Sequence, residues 1–138
     1  MNAKAVGLGT VAYTVITFPI AVIWYVLIFK EQYQNFGYFD GEPSFIIGLL
    51  TILIQGFILS VLYAHTKFEG THIFRALKYS ALIGVFFWTS HVLAFVAKQA
   101  LSGVFLFMVM ETIYLLIQFG IYGILIGIIY EKTATHAV

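Results

Sequence analysis

VFLFMVMETIYLLIQFGIYGILIGIIY, residues 104–130, is a run of 27 residues that carries one formal charge, Glu111. A helix rising about 1.5 Å per residue needs about 20 largely apolar residues to cross a hydrocarbon core about 30 Å thick. The run is long enough to span a membrane, and a span with a carboxylate inside it decides how the rest of the chain is read. Working outward, formal charges divide the sequence at the same interval. Lys4 and Lys30 enclose 25 uncharged residues, Glu42 and Lys67 enclose 24, and Lys78 and Lys98 enclose 19. The pattern predicts an all-α, polytopic integral membrane protein with four transmembrane helices in an antiparallel bundle. One domain, 1–138, contains spans at about 11–30, 44–66, 73–98 and 104–130.

The composition of the 138 residues agrees: 62% are hydrophobic and 9% charged, against roughly 45–50% and about 25% in soluble domains. A net charge of +1 leaves no basic surface for phosphates, so nucleic-acid binding is excluded as a main activity. The absence of cysteine excludes thiolate chemistry, disulfides and cysteine metal sites.

Between the spans, Tyr33–Asp40 reads as a long outer loop, Pro43 suits a first helical turn, and Thr71 and Ser102 suit caps of the third and fourth helices. The first apolar run is too long for a cleaved leader, and Ala3-Lys4-Ala5 precedes it, so it reads as an uncleaved anchor. Lys4, Lys67, Arg75, Lys78 and Lys132 fall on one side and Lys30 and Lys98 on the other. Five against two favours both termini in the cytoplasm. Tyr13, Tyr63, Tyr79 and Tyr130 would form an inner aromatic belt, with Trp24, Tyr25 and Phe45 toward the outer one.

Several faces stand out. Gly120, Gly123 and Gly127, with Gly123 and Gly127 forming a GxxxG, and Gly56 with Ser60, allow close helix approach, inside one bundle or at a homo-oligomer seam. Thr10, Thr14, Thr17, Ala21 and Trp24 share a stripe on the first span, where Pro19 predicts a bend. Glu111, Tyr114, Gln118 and Tyr122 share one on the fourth, which must face protein or water because a charge toward lipid costs several kcal/mol.

Spans three and four form a hairpin turning near residues 101 and 102, so residues whose numbers sum to about 203 lie at equal depth. His91 and Glu111 sum to 202. They are the strongly ionisable residues inside the apolar spans, and an imidazole and a carboxylate can pair or share a proton. Thr17, Gln55, Trp88, Tyr114 and Gln118 are expected to join them in one polar core.

The counts exclude other chemistries. Bis-histidine haem needs a second buried imidazole, but His65 lies at the opposite interface, His72 in the cytoplasmic loop and His136 in the tail. A lone His and Glu make an incomplete metal site. No cofactor and no metal are therefore assigned, and an enzyme is the lesser reading. Two functions remain: proton or small-solute handling through the polar core, or an accessory or assembly subunit of a larger membrane complex. The expected partners are the lipid bilayer and either a second copy or another membrane subunit.

Ile23-Trp-Tyr-Val-Leu-Ile-Phe-Lys30, followed by Tyr33 and Gly37, resembles the first helix of the small bacterial four-helix membrane proteins in the domain-of-unknown-function family numbered 1761. The resemblance extends to Glu111-Thr-Ile-Tyr114 and the glycine-rich end of the last span. It implies a four-helix plan and carries no activity with it.

Overall fold

The computed structural model describes residues 2–135, so His136 and Val138 lie outside the described residues. The chain is all-helical, with no strand among those residues and four packed rods long and apolar enough to cross a membrane. It is a multi-pass membrane protein. Rod one is α1 (Ala3–Ala21), which runs into π turns over Val22–Ile28; α2 (Lys30–Phe36) is short, and α3 (Phe45–His65) is rod two. Rod three is α4 (His72–Phe87), π turns over Trp88–Leu93 and α5 (Ala94–Lys98); α6 (Val104–Thr135) is rod four.

Helix ends follow local chemistry. Asn2 accepts from the Lys4 and Ala5 amides, so rod one starts eight residues before position 11. Thr71 caps α4 and Ser44 caps α3, which puts Pro43 ahead of the helix, not in its first turn. Ser102 does not cap α6: its hydroxyl donates to the Asn35 carbonyl, and its amide to Phe36, tying the last turn to α2. The expected outer loop is thus partly helical. α2 buries Tyr33 and Phe36 and ends at Gly37, whose φ of 80° favours glycine. Outside this cap, Lys30 Nζ lies 2.6 Å from Glu42 Oε1, an exposed pair worth at most about 1 kcal/mol.

α6 is the central rod. Phe107, Met110, Glu111, Tyr114, Leu115, Gln118, Phe119, Tyr122 and Ile126 are all buried, a helical stripe broad enough to hold a neighbour on each side. α4 packs along it, α1 packs against it, and α3 packs along α1. The outward faces are apolar, with Ile46 83% and Phe105 81% exposed, as lipid contact requires. Small residues set the close crossings. A Cβ on Gly123 would sit 2.8 Å from Ser80 Cβ, and one on Gly127 2.9 Å from Ile73 Cα. The GxxxG face is therefore occupied by α4 of the same chain, while Gly120 has open space beside it. Gly9 meets Ser60, and Gly56 meets Tyr13 and the Thr10 carbonyl.

The four tyrosines assigned to an inner lipid belt lie against protein instead. Tyr13, Tyr63 and Tyr79 are buried and Tyr130 is partly so. Tyr79 donates to Leu59 O at 2.7 Å, Tyr130 to Ser60 O at 3.1 Å and Tyr63 to His72 O at 3.3 Å. These hydroxyls clamp α3 to α4 and α6 at the end where the 66–71 connection runs. α3 and α4 otherwise share few contacts, so the bundle has a cleft between them toward its other end. Pro19 sits inside α1, and the wider π turns begin three residues later. There the Phe29 amide reaches back to Trp24 O, an i→i−5 bond of 3.0 Å.

Candidate functional site

Glu111 enters the structure seven residues into α6, fully buried, with hydrogen bonds from three directions. Tyr25 Oη, from the π turns of rod one, is 2.9 Å from Oε1 and 3.0 Å from Oε2. Tyr33 Oη, from α2, donates to Oε1 at 2.6 Å and itself accepts from Trp24 Nε1 at 2.8 Å. His91 Nε2, from the π turns of rod three, lies 3.2 Å from Oε2. A carboxylate taken out of water loses its hydration, and donors aimed at both oxygens replace much of it.

His91 joins this buried group to a second environment. Its side chain is 41% exposed while that of Glu111 is 0% exposed, and Tyr38 Oη lies 3.0 Å from the same Nε2. With a proton on Nε2 the imidazole donates to Glu111 or Tyr38; without one it accepts from Tyr38 or from a protonated Glu111. Tyr33 and Tyr38, outside the spans, hold their phenol protons far above the usual range near 10, through burial first and the neighbouring Glu111 charge second. They are neutral donors throughout the physiological range.

The open side of His91 faces a cavity of about 130 Å³ between α3 and α4, lined among others by Thr17, Gln55, Tyr114 and Gln118. Tyr13 bridges its floor, accepting from Gln118 Nε2 at 2.8 Å and donating to Gln55 Oε1 at 3.3 Å. Thr17 Oγ1 is buried without a hydrogen-bond partner. Five of the seven residues expected in the polar core thus surround one cavity: Thr17, Gln55, His91, Tyr114 and Gln118. Glu111 sits behind it, sealed by Tyr25, Tyr33 and His91.

Trp88 does not belong to this group. It points to the other side of α4, where its Nε1 donates to Thr112 Oγ1 at 2.9 Å beside an apolar groove of about 320 Å³. Tyr25, expected as an interface anchor, and Tyr33, expected in a loop, both reach the site from helical turns, and Tyr38 does lie in a loop but turns inward to His91. One signal was available, the aromatic density of Tyr33-Gln-Asn-Phe-Gly-Tyr-Phe39, which exceeds what a solvated loop needs. His91 and Glu111 offer two metal donors, and no group of three or more His, Asp or Glu forms among the described residues.

The carboxylate, imidazole and phenol set can hold a proton, pass it over hydrogen-bond distances and present it at the cavity. Compared with protein families, with curated proteins and with solved structures, the chain matches nothing.

Proposed function

We propose that this protein handles protons, and with them a small solute, at the Glu111–His91 couple, without enzymatic chemistry. The observation that carries the reading is the asymmetry of exposure within one contact: 0% for the carboxylate and 41% for the imidazole 3.2 Å away. His91 touches both the sealed Glu111 and the open cavity, and unlike Tyr25, which also does so, it carries two ring nitrogens. A proton taken from Glu111 on Nε2 can leave from Nδ1, the two-nitrogen relay that makes imidazole a shuttle. Intramembrane ionisable residues are costly to insert and mark pathways by default. The five-to-two distribution of Lys and Arg supports an orientation with both termini in the cytoplasm, which puts the site in the outer half, and the resemblance to a bacterial family supports a bacterial inner membrane. The first-helix residues and the last span support a resemblance to the bacterial 1761 family.

The test is proton flux into liposomes carrying an internal pH dye. Wild-type protein should dissipate an imposed gradient, and Glu111→Gln and His91→Gln should each abolish the flux while remaining helical. Wild-type vesicles no leakier than empty ones would refute the reading. That outcome favours the second one, an accessory membrane subunit, which the apolar groove bounded by Ala81, Gly84, Trp88, Leu116 and Gly120 supports. Its check is co-purification of a partner that Gly84→Leu displaces.

A further inference from the structure

The cavity beside His91 has a neighbour. Adjoining it at Tyr25, Tyr38 and Ile52, which line both, an apolar cleft of about 270 Å³ runs between rod one and the start of α3, walled by Phe18, Val22, Phe45 and others. A small polar chamber and a larger apolar one therefore adjoin along these three side chains inside the span region. The polar chamber is unusual in its aromatic faces. Tyr25, Tyr38, Tyr114 and Phe87 all line it, with Tyr25 and Tyr38 stacked at 5.8 Å and 11° and Tyr25 and Tyr114 at 4.9 Å.

Charge decides what such a chamber takes. Its wall contains one group able to carry a positive charge, His91, and directly behind that wall, in contact with His91 and Tyr25, lies one carboxylate, Glu111. The other facing groups are phenols (Tyr25, Tyr38, Tyr114), amides (Gln55, Gln118) and a hydroxyl (Thr17). No Lys or Arg lines the chamber. The carboxylate can therefore be balanced by an imidazolium proton or by a cation from outside. Aromatic faces present the negative side of their quadrupoles to a cation, most strongly where water is excluded. An anion would meet these faces and Glu111 together.

We infer that the paired chambers take a lipophilic organic cation, an amine or quaternary ammonium on an apolar body, in exchange for the proton shared by His91 and Glu111. The inference rests on the proton-handling reading above. The ammonium sits among Tyr25, Tyr38 and Tyr114, and the apolar body lies in the cleft against Phe18 and Phe45. The cation enters with one positive charge and His91 gives one proton to bulk buffer, so the charge of the site is unchanged. The gap between α3 and α4 lets such a molecule enter sideways from the bilayer, where lipophilic cations concentrate.

The test uses the full-length purified protein in detergent, with phenyltrimethylammonium as probe and tert-butylbenzene, its uncharged carbon isostere, as control. Calorimetry in buffers of different ionisation enthalpy reads both affinity and protons released. The cation should bind with release of up to one proton, its affinity falling up to about tenfold per pH unit on the acid side, as one-proton linkage requires. The isostere should bind at least tenfold more weakly. Glu111→Gln should lose cation binding. His91→Gln, which keeps the carboxylate, should bind with no proton release and no pH dependence, a result that a folding defect does not mimic. Equal binding of the isostere, or no cation binding at any pH, overturns the inference. If liposomes still show Glu111-dependent proton flux, the proton-handling reading survives that failure. Cation binding that is independent of pH and releases nothing overturns the exchange, and with flux absent it removes the proton-handling reading as well.

Discussion

Replacing Glu111 and His91 with glutamine, singly and together, probes the contact on which the site depends. The two residues stand in different surroundings, so their single losses should differ. Glu111→Gln removes the charged acceptor of two tyrosine hydroxyls and puts an amide N–H₂ against a donor. With hydrogen bonds to charged groups worth about 1.5–3 kcal/mol each, and one retained by the amide oxygen, the cost should be about 3 kcal/mol. His91→Gln leaves the carboxylate its bonds from Tyr25 and Tyr33, and the lost imidazole was already 41% exposed. Its cost should fall below the range of about 3–5 kcal/mol for breaking a fully buried pair, near about 1–2 kcal/mol. The double variant has no buried charge left unbalanced, so it should be at least about 1 kcal/mol more stable than the sum of the singles predicts. Reversible unfolding in mixed micelles of rising SDS content, followed by far-UV circular dichroism, gives the four free energies. Additivity within about 0.5 kcal/mol would refute a coupled pair.

Gly127→Leu should abolish folding, because its side chain would meet the Ile73 backbone at 2.9 Å, whereas Gly120→Leu should be tolerated; size exclusion and circular dichroism separate these from a change of oligomeric state. A reporter active only outside the cytoplasm should be silent when fused at Val138 and active when inserted near Gly37, and the reverse would overturn the orientation. Tyr33 and Tyr38 hold their protons above the ordinary value of 10.0 in the folded state. Their contribution to stability is thus complete below pH 10 and is lost as pH rises beyond it. The alkaline decline of the melting temperature should be smaller in Tyr33→Phe, and unchanged slopes would contradict this.

The four spans were legible because charged residues avoid hydrocarbon, and that rule needs no knowledge of packing. The meeting of His91 and Glu111 was legible for a related reason: an antiparallel hairpin fixes depth by arithmetic. What escaped was everything that depends on departures from a regular α-helix. Trp24, Tyr25 and His91 lie in π turns, so projections made at 3.6 residues per turn misdirect them, and Thr10 and Thr14 turn out to bond their own helix carbonyls. α2 escaped because seven residues of mixed polarity carry no apolar run, although Tyr33 and Phe36 bury completely enough to close the bundle. The inner tyrosines were misread because an aromatic at the right depth fits a lipid interface and a helix clamp equally well. Only the neighbouring Leu59, Ser60 and His72 carbonyls distinguish the two.

The π turns of rod one let a single helix work in two rotational frames. Below them, Gly9, Tyr13 and Thr17 keep one heading, toward α3 and α6; above them, Trp24 and Tyr25 head for α2 and Glu111. Winding Val22–Ile28 as ordinary α-helix at unchanged length would rotate one half against the other by about 100°. Hydropathy would hardly change and the protein would still insert, yet it could align its packing seam or its carboxylate shell, and never both. In this segment winding is therefore as constrained as composition, and a further inserted residue would act where many apolar substitutions would pass unnoticed.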